Sequence, residues 1–324
     1  MDRRAFIGTL AGGLLAAPLA AEAQQAGKVY RIGSFFSVPA QNPPGEGPFY
    51  DRMRELGWMH GRNFVVERRM YGDQPERIPD MVSELVRSGV DLFLVSGSID
   101  AERLHQVTRT IPIVTSEASD LVARGLAESL ARPGGNVTGV QTFMPEVTGK
   151  HLALLKELIP GLSRVGLLRE DVGSGALVRQ AESAGDALRI RLQMVAVRRA
   201  EELDAAFSTF RVGRAQGLLV LRSPFTGTHE RTIVDLALKH RFPTVSDGIF
   251  FTRAGGLVSY GYDPGEASRL TAEVVDRILR GAQASEVPIR QVTVFRLRIN
   301  LKTAKALGLT IPPSLLQRAD QVIE

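Results

Sequence analysis

Cysteine is absent from the 324 residues. That excludes disulfides, thiolate metal ligands and a cysteine nucleophile. It also excludes a lipid anchor of the kind attached to a cysteine behind a leader. Histidine is scarce. His60, His105, His151, His229 and His240 are spread along the chain, with no i,i+4 pair and no HExxH. His229-Glu230 reads as the solvated start of a helix. No GxGxxG follows a strand, no Lys-Ser/Thr follows a glycine loop, and no GxSxG elbow is present; Gly173-Ser174-Gly175 is a loop. The carboxylates lack the spacing of a catalytic set. No catalytic residue, metal site or cofactor is therefore expected. The net charge is +5 with a pI near 9.7, but the basic residues are scattered. They serve solubility, and no nucleic-acid partner is expected.

Only one long apolar run occurs, Ile7 to Ala21, and it lies at the N-terminus. Asp2-Arg3-Arg4 precedes it and Ala21-Glu22-Ala23 offers a small-x-small cleavage site. Residues 1–23 therefore read as a signal peptide. The run is short of the ~20 residues a spanning helix needs. DRRAFIG resembles a twin-arginine export signal, with Sec export as the other route. An exported chain with no anchor needs an outer barrier to retain it. The expected location is the periplasm, and the expected state is a free monomer. The whole chain is 44% hydrophobic and 23% charged, enough for two separate cores.

From Val29 on, strand and helix patterns alternate. VYRIGSFF, NFVVERRMY, DLFLVSG, IPIVTSEA and NVTGVQTF read as strands. GPFYDRMRELGW, RIPDMVSELVRSG, SIDAERLHQVTRT and DLVARGLAESLARPG read as the helices between them. The pattern then restarts. RVGLLRE, RLQMVAVR, GLLVLRS, FPTVSDG and GLVSYGY are strands, and VTVFRLRIN and LKTAKALGL close the chain. GKHLALLKELIPG, GALVRQAESAGDALRI, AEELDAAFSTFRVG, THERTIVDLALKHR and PGEASRLTAEVVDRILRG are helices. Two α/β lobes with doubly wound parallel sheets follow. Lobe 1 is expected to hold residues 24–143 and 263–289, and lobe 2 residues 144–262 and 290–324. PGGNVTG (133–139) matches a glycosylation acceptor by pattern. Here its glycines follow a predicted helix and its Asn136 enters a strand, so it reads as a turn and a strand leading toward the second lobe.

Ligands of open α/β sheets bind beyond the carboxyl ends of the strands. In lobe 1 that rule singles out Ser34, Phe35, Phe36, Ser96, Gly97, Ser98, Asp100, Ser116, Glu117, Ser119, Asp120, Gln141 and Phe143. In lobe 2 it singles out Arg169, Arg222, Ser223, Phe225, Asp247, Phe250 and Tyr260. Ser98 serves as a helix N-cap, a ligand contact or both, and Asp120 as a cap or a contact. In the pairs Phe35/Phe36 and Phe250/Phe251, about one ring is expected at the site and one in the core. Tyr260 and Tyr262 either line the site or close a turn. Aromatics at strand ends suit a planar ligand. Arg169 and Arg222 suit its carboxylate, or else pair internally, Arg169 with Glu170 or Asp171. Asp100 and Asp120 suit its amine or hydroxyl end.

Several stretches resemble the periplasmic substrate-binding proteins of ABC transporters, in particular the tryptophan/tyrosine type. They are ELGWMHGRN (55–63), VTRTIPIV (107–114), SLARPGGNVTG (129–139), LLKELIPG (154–161), AGGLVSYG (254–261) and INLKTAKALGLTIPPSLLQRADQVIE (299–324). The resemblance implies a type I periplasmic binding protein fold, with a hinge and a small ligand enclosed in an interlobe cleft. It also implies delivery to a permease in the inner membrane rather than catalysis. An aromatic amino acid or small aromatic carboxylate is the expected ligand. The chain departs from the family at Ser119-Asp120-Leu121, where Ser-Asp-Pro is usual. It departs again at Ser98-Ile99-Asp100, usually small and neutral, and at Arg169 and Arg222. Two alternatives share such a fold: an exported two-domain enzyme, and the effector domain of a lac-repressor-type regulator. The latter needs an N-terminal helix-turn-helix where this chain carries its leader.

Overall fold

The computed structural model describes residues 28–36, 45–72, 74–142, 146–171 and 175–324. The expected leader, the candidate ligand residue Phe143, and Gly173-Ser174 lie outside them. The described residues fall into two units. One is drawn from Met1–Thr142 and Gly265–Gln291, the other from Phe143–Pro264 and Val292–Glu324.

In the first unit, β1 (Tyr30–Phe36), β2 (Phe64–Met70), β3 (Leu92–Val95), β4 (Ile113–Ala118), β5 (Val137–Gln141) and β11 (Arg290–Gln291) form a parallel sheet in the order β11-β5-β4-β3-β1-β2. Helices α1 (Pro48–Glu55), α2 (Ile78–Arg87), α3 (Ser98–Val107) and α10 (Pro264–Leu279) belong to the crossovers and the return. Neighbouring strand residues point to opposite faces, so each face has its own core. Phe35, Phe93 and Ile113 pack with Val82, Leu85 and Leu104. Ile32, Leu92 and Val114 pack with Phe64, Val275 and Ile278. Burial on both faces is why these strands read as apolar runs. In α2, Ile78, Met81, Val82 and Leu85 make the buried stripe, and Gly89, at φ 77, follows its end.

In the second unit, β6 (Arg164–Glu170), β7 (Arg191–Val197), β8 (Gly217–Val220), β9 (Thr244–Ser246), β10 (Val258–Tyr262), β12 (Phe295–Asn300) and β13 (Gln321–Ile323) follow the order β13-β12-β10-β9-β8-β6-β7. The helices are α4 (Glu146–Leu158), α5 (Gly175–Leu188), α6 (Leu203–Val212), α7 (Pro224–Thr228), α8 (Glu230–Lys239), α9 (Ile249–Arg253), α11 (Leu301–Leu307) and α12 (Pro313–Arg318). One core gathers Leu155, Leu167, Leu219, Val245 and Ile299, the other Leu168, Phe207, Phe210, Leu218 and Ile233.

Three expectations need correction. The second sheet is not wholly parallel: β12 runs antiparallel to β10. A strand's residue pattern carries no direction, so this was invisible. The segment after Asp120 is not a helix but turns. The Asp120 carboxylate accepts from the Ala123 amide at 2.9 Å, Gly125 takes φ 69, and the Glu128 amide donates to the Pro133 carbonyl at 2.9 Å. Leu121, Leu126 and Ala127 reach the core from these turns, which imitates an amphipathic pattern. Finally, α9 and α7 were unexpected; Ser223 and Thr226 cap α7 reciprocally.

PGGNVTG does turn into β5. Asn136 is 8% exposed. Its amide nitrogen donates to the carbonyls of Thr108 (3.0 Å) and Ile111 (2.8 Å), and its oxygen lies 2.7 Å from His105 Nδ1. Such a side chain is not a glycan acceptor in the folded chain. Gly139 takes φ 138, and a Cβ there would fall 2.2 Å from the Thr115 carbonyl oxygen. Glycine lets β5 close onto β4 where its register shifts.

Candidate functional site

Each sheet reverses its winding at one point, between β1 and β3 in the first unit and between β6 and β8 in the second. The connections leaving the carboxyl ends part there and leave room for a ligand.

At the first edge, Ser34 is half-buried and Phe36 ends β1. Phe35 is no ligand contact: it is 2% exposed and stacks on Phe93 at 5.7 Å. Ser96 is exposed where β3 ends. Gly97, not Ser98, is the N-cap of α3. Ser98 is 4% exposed, and its hydroxyl accepts from the Ser119 amide (2.8 Å) and hydroxyl (2.9 Å). The Ser96 carbonyl accepts from the Glu117 amide at 2.7 Å. These bonds bring Ser96–Ser98 together with Ser116–Ser119, a shelf of hydroxyls that also holds Glu117 and where Arg124 Nε donates to the Ser119 hydroxyl at 3.2 Å.

Two acidic residues of this edge, Asp100 and Asp120, are bonded within their own unit. Asp100 is 8% exposed; the Tyr71 hydroxyl donates to both its oxygens (3.1 and 3.2 Å), and Arg103 Nη1 stands at 3.3 Å. Burial pushes its carboxyl up, against the pull of Tyr71 and Arg103. Asp120 caps the following turn. Both carboxylates thus have partners within the unit. Gln141, 6% exposed, accepts from the Leu121 amide at 3.4 Å and steadies that turn. Tyr71 was missed because the carboxyl end of β2 was not weighed alongside those of β1, β3, β4 and β5.

The second edge is charged. Arg169 on β6 donates to the Glu170 carbonyl at 3.1 Å and pairs with Asp171 at 3.6 Å. Asp171 also accepts from Arg198 Nε at 2.6 Å. Arg222, exposed after β8, donates to the Tyr262 hydroxyl at 2.6 Å, with its guanidinium 5.6 Å from that ring. Phe225 stacks on His229 at 4.3 Å. Phe250 is half-exposed on α9 beside Arg253, while Phe251 is core. A helix, not a strand, divides the pair. Tyr260 is half-buried and packs on Phe295 and His151 against the core of this unit.

Asp247 follows β9, half-buried, with Oδ1 buried and without a partner. Its backbone crosses β10 at Gly261, where a Cβ would stand 1.8 Å from the Asp247 carbonyl oxygen. Glu230, expected as a solvated helix start, is instead partly buried. Its carboxyl is pushed up to about 7 by burial and the Asp247 charge, with Arg222 opposing. His151 is 4% exposed, and burial pushes its imidazole down, toward the neutral form. Glu230 and His151 were missed because separation along the chain hid that both lie in the field of Asp247. Among the described residues, no group of three His, Asp or Glu is placed to hold a metal. No helix among them is long and apolar enough to cross a membrane.

Residues 34–323 match the family described as ABC transporter substrate binding protein. Over 263 residues the chain is 22% identical to the tyrosine-binding protein of Clostridioides difficile strain R20291, covering 81% of this chain and 75% of that protein. The solved structure of an ABC domain in complex with L-Trp from Streptococcus pneumoniae matches with a TM-score of 0.82 and 22% identity, over 91% of this chain and 100% of that one. A conserved domain protein from Vibrio cholerae matches with a TM-score of 0.77 and 21% identity, over 91% and 99%. The fold is that of the type I periplasmic binding proteins.

Proposed function

The chain belongs to the ABC transporter substrate-binding protein family, and from that membership we propose that the solute it carries is an aromatic amino acid. As a member it binds a small-molecule ligand and works with a permease. The enzyme and regulator alternatives have no support in the family match. The observation that carries the ligand reading is the chemistry of the second carboxyl edge, where Asp247 and Arg222 both act on Glu230 and the same unit carries the half-exposed ring of Phe250. An acid, a guanidinium and a ring suit a zwitterion with a planar side chain. Relatives named for tyrosine and for L-Trp favour the same class.

The finer picture is part of this proposal. The protein is exported, loses residues 1–23, and acts as an unanchored monomer in the periplasm, without a catalytic step. N-terminal sequencing of the periplasmic form should begin at or near Gln24; a form retaining Met1 contradicts the export route. A thermal-unfolding screen with L-tryptophan, L-tyrosine, L-phenylalanine, L-leucine and benzoate tests the ligand class. A true ligand at a hundred times its Kd adds about 2.7 kcal/mol to stability. Stabilisation by L-leucine alone would remove the aromatic assignment.

A further inference from the structure

Among the described residues of the second unit, the buried acceptors with nothing to accept from include His151 Nδ1 and Asp247 Oδ1. His151 Nε2 lies 2.6 Å from the Tyr260 carbonyl oxygen. A carbonyl only accepts, so the ring proton sits on Nε2 and Nδ1 is a bare lone pair. That Nδ1 is buried and without a partner. Asp247 Oδ1 is likewise buried and without a partner. The two acceptors cannot satisfy one another, yet they share one field: the Asp247 charge raises the proton affinity of His151 and of Glu230. Glu230 is held over Gly248, where a Cβ would stand 3.1 Å from Glu230 Oε1. Buried acceptors left unmatched are costly, and the missing element is a donor.

We propose that Asp247, backed by His151, is the subsite for a primary ammonium group of the ligand. The proposal rests on the amino-acid reading above and narrows it. An ammonium brings three N–H donors and a positive charge to the Asp247 carboxylate and the bare Nδ1 of His151. A ligand carboxylate would bring only acceptors and meet like charge. The carboxylates first expected to hold the amine, Asp100 and Asp120, already accept from Tyr71, Arg103 and the Ala123 amide. Solutes that carry an acid group and no amine, such as benzoate, are then poor ligands.

The test is titration calorimetry with three amino acids and their amine-free counterparts. The pairs are L-tryptophan with indole-3-propionate, L-tyrosine with 3-(4-hydroxyphenyl)propionate, and L-leucine with 4-methylpentanoate. Removing the amine should weaken binding by at least about tenfold for whichever amino acid binds. Asp247→Asn should weaken that amino acid by roughly tenfold to a hundredfold and move the amine-free compound less than about threefold. The wild-type comparison decides the matter even where Asp247→Asn fails to fold. Equal affinities within a pair, preference for the amine-free member, or silence from all six compounds overturns the ammonium subsite. Binding of L-leucine alone overturns the aromatic reading instead, and the leucine pair then decides the subsite.

Discussion

At the winding reversal of the first sheet the chain presents Ser34, Ser96, Ser98 and Ser119; at the matching point of the second it presents Arg169 and Arg222, with Asp247 and Glu230 close by. The strand order around both points is the same, β4-β3-β1-β2 in one sheet and β9-β8-β6-β7 in the other. The difference lies in where the charges are spent. Asp100 and Asp120 of the first unit are bonded to neighbours within it. Asp247 of the second has an oxygen in the protein with no partner. One plan of backbone therefore supports an edge whose Asp100 and Asp120 are bonded internally and an edge with hydrogen-bonding capacity in reserve at Asp247. Charged residues at strand ends are candidates for a site, but only their partners tell structural groups from available ones.

Three substitutions would break or sharpen this contrast. Gly261→Ala should have the largest effect, because its Cβ would collide with the Asp247 backbone. A loss of about 3 kcal/mol or more is expected in urea unfolding; a loss below about 1 kcal/mol would mean that Asp247 is not held against β10. Ser98→Ala at the first edge removes the acceptor of the Ser119 amide and hydroxyl. It should cost about 1–3 kcal/mol by the same measurement, and no measurable change would show that the hydroxyl shelf is not a fixed structure.

The smallest effect is a pH dependence. Glu230, at about 7 when folded against an ordinary 4.5, keeps a proton in the folded chain that the unfolded chain releases. Its contribution is intact below the unfolded value and is lost as pH rises through 4.5 to about 7. Glu230→Gln should match wild type near the lower end of that window. At about pH 8 it should be more stable by about 1–2 kcal/mol, after discounting for solvent exposure. Parallel stability curves for the two proteins across the window would contradict the burial of this carboxyl.

Much of the fold was legible because parallel strands buried on both faces leave unmistakable apolar runs, as in DLFLV and GLLV. The loop from Asp120 to Gly134 was not, since Leu121, Leu126 and Ala127 mimic a helical stripe while Gly125 and the Asp120 cap build turns. At the candidate site, the strand ends singled out Ser98, Asp247 and Arg222 from the sequence alone. Sequence position could not reveal which groups were already bonded. Asp100 meets Tyr71 across 29 residues and Arg222 meets Tyr262 across 40. Glu230 acquired its character from Asp247 and from burial, neither of which is local in the chain.

The central claim, that this member of the family carries an aromatic amino acid, is tested most directly by calorimetric titration of the ligand-stripped protein with L-tryptophan and L-tyrosine. The account predicts saturable binding of one molecule per chain for at least one of them, tighter than for L-leucine. Heat of dilution alone for both, in protein that binds another solute with one-to-one stoichiometry, would contradict it.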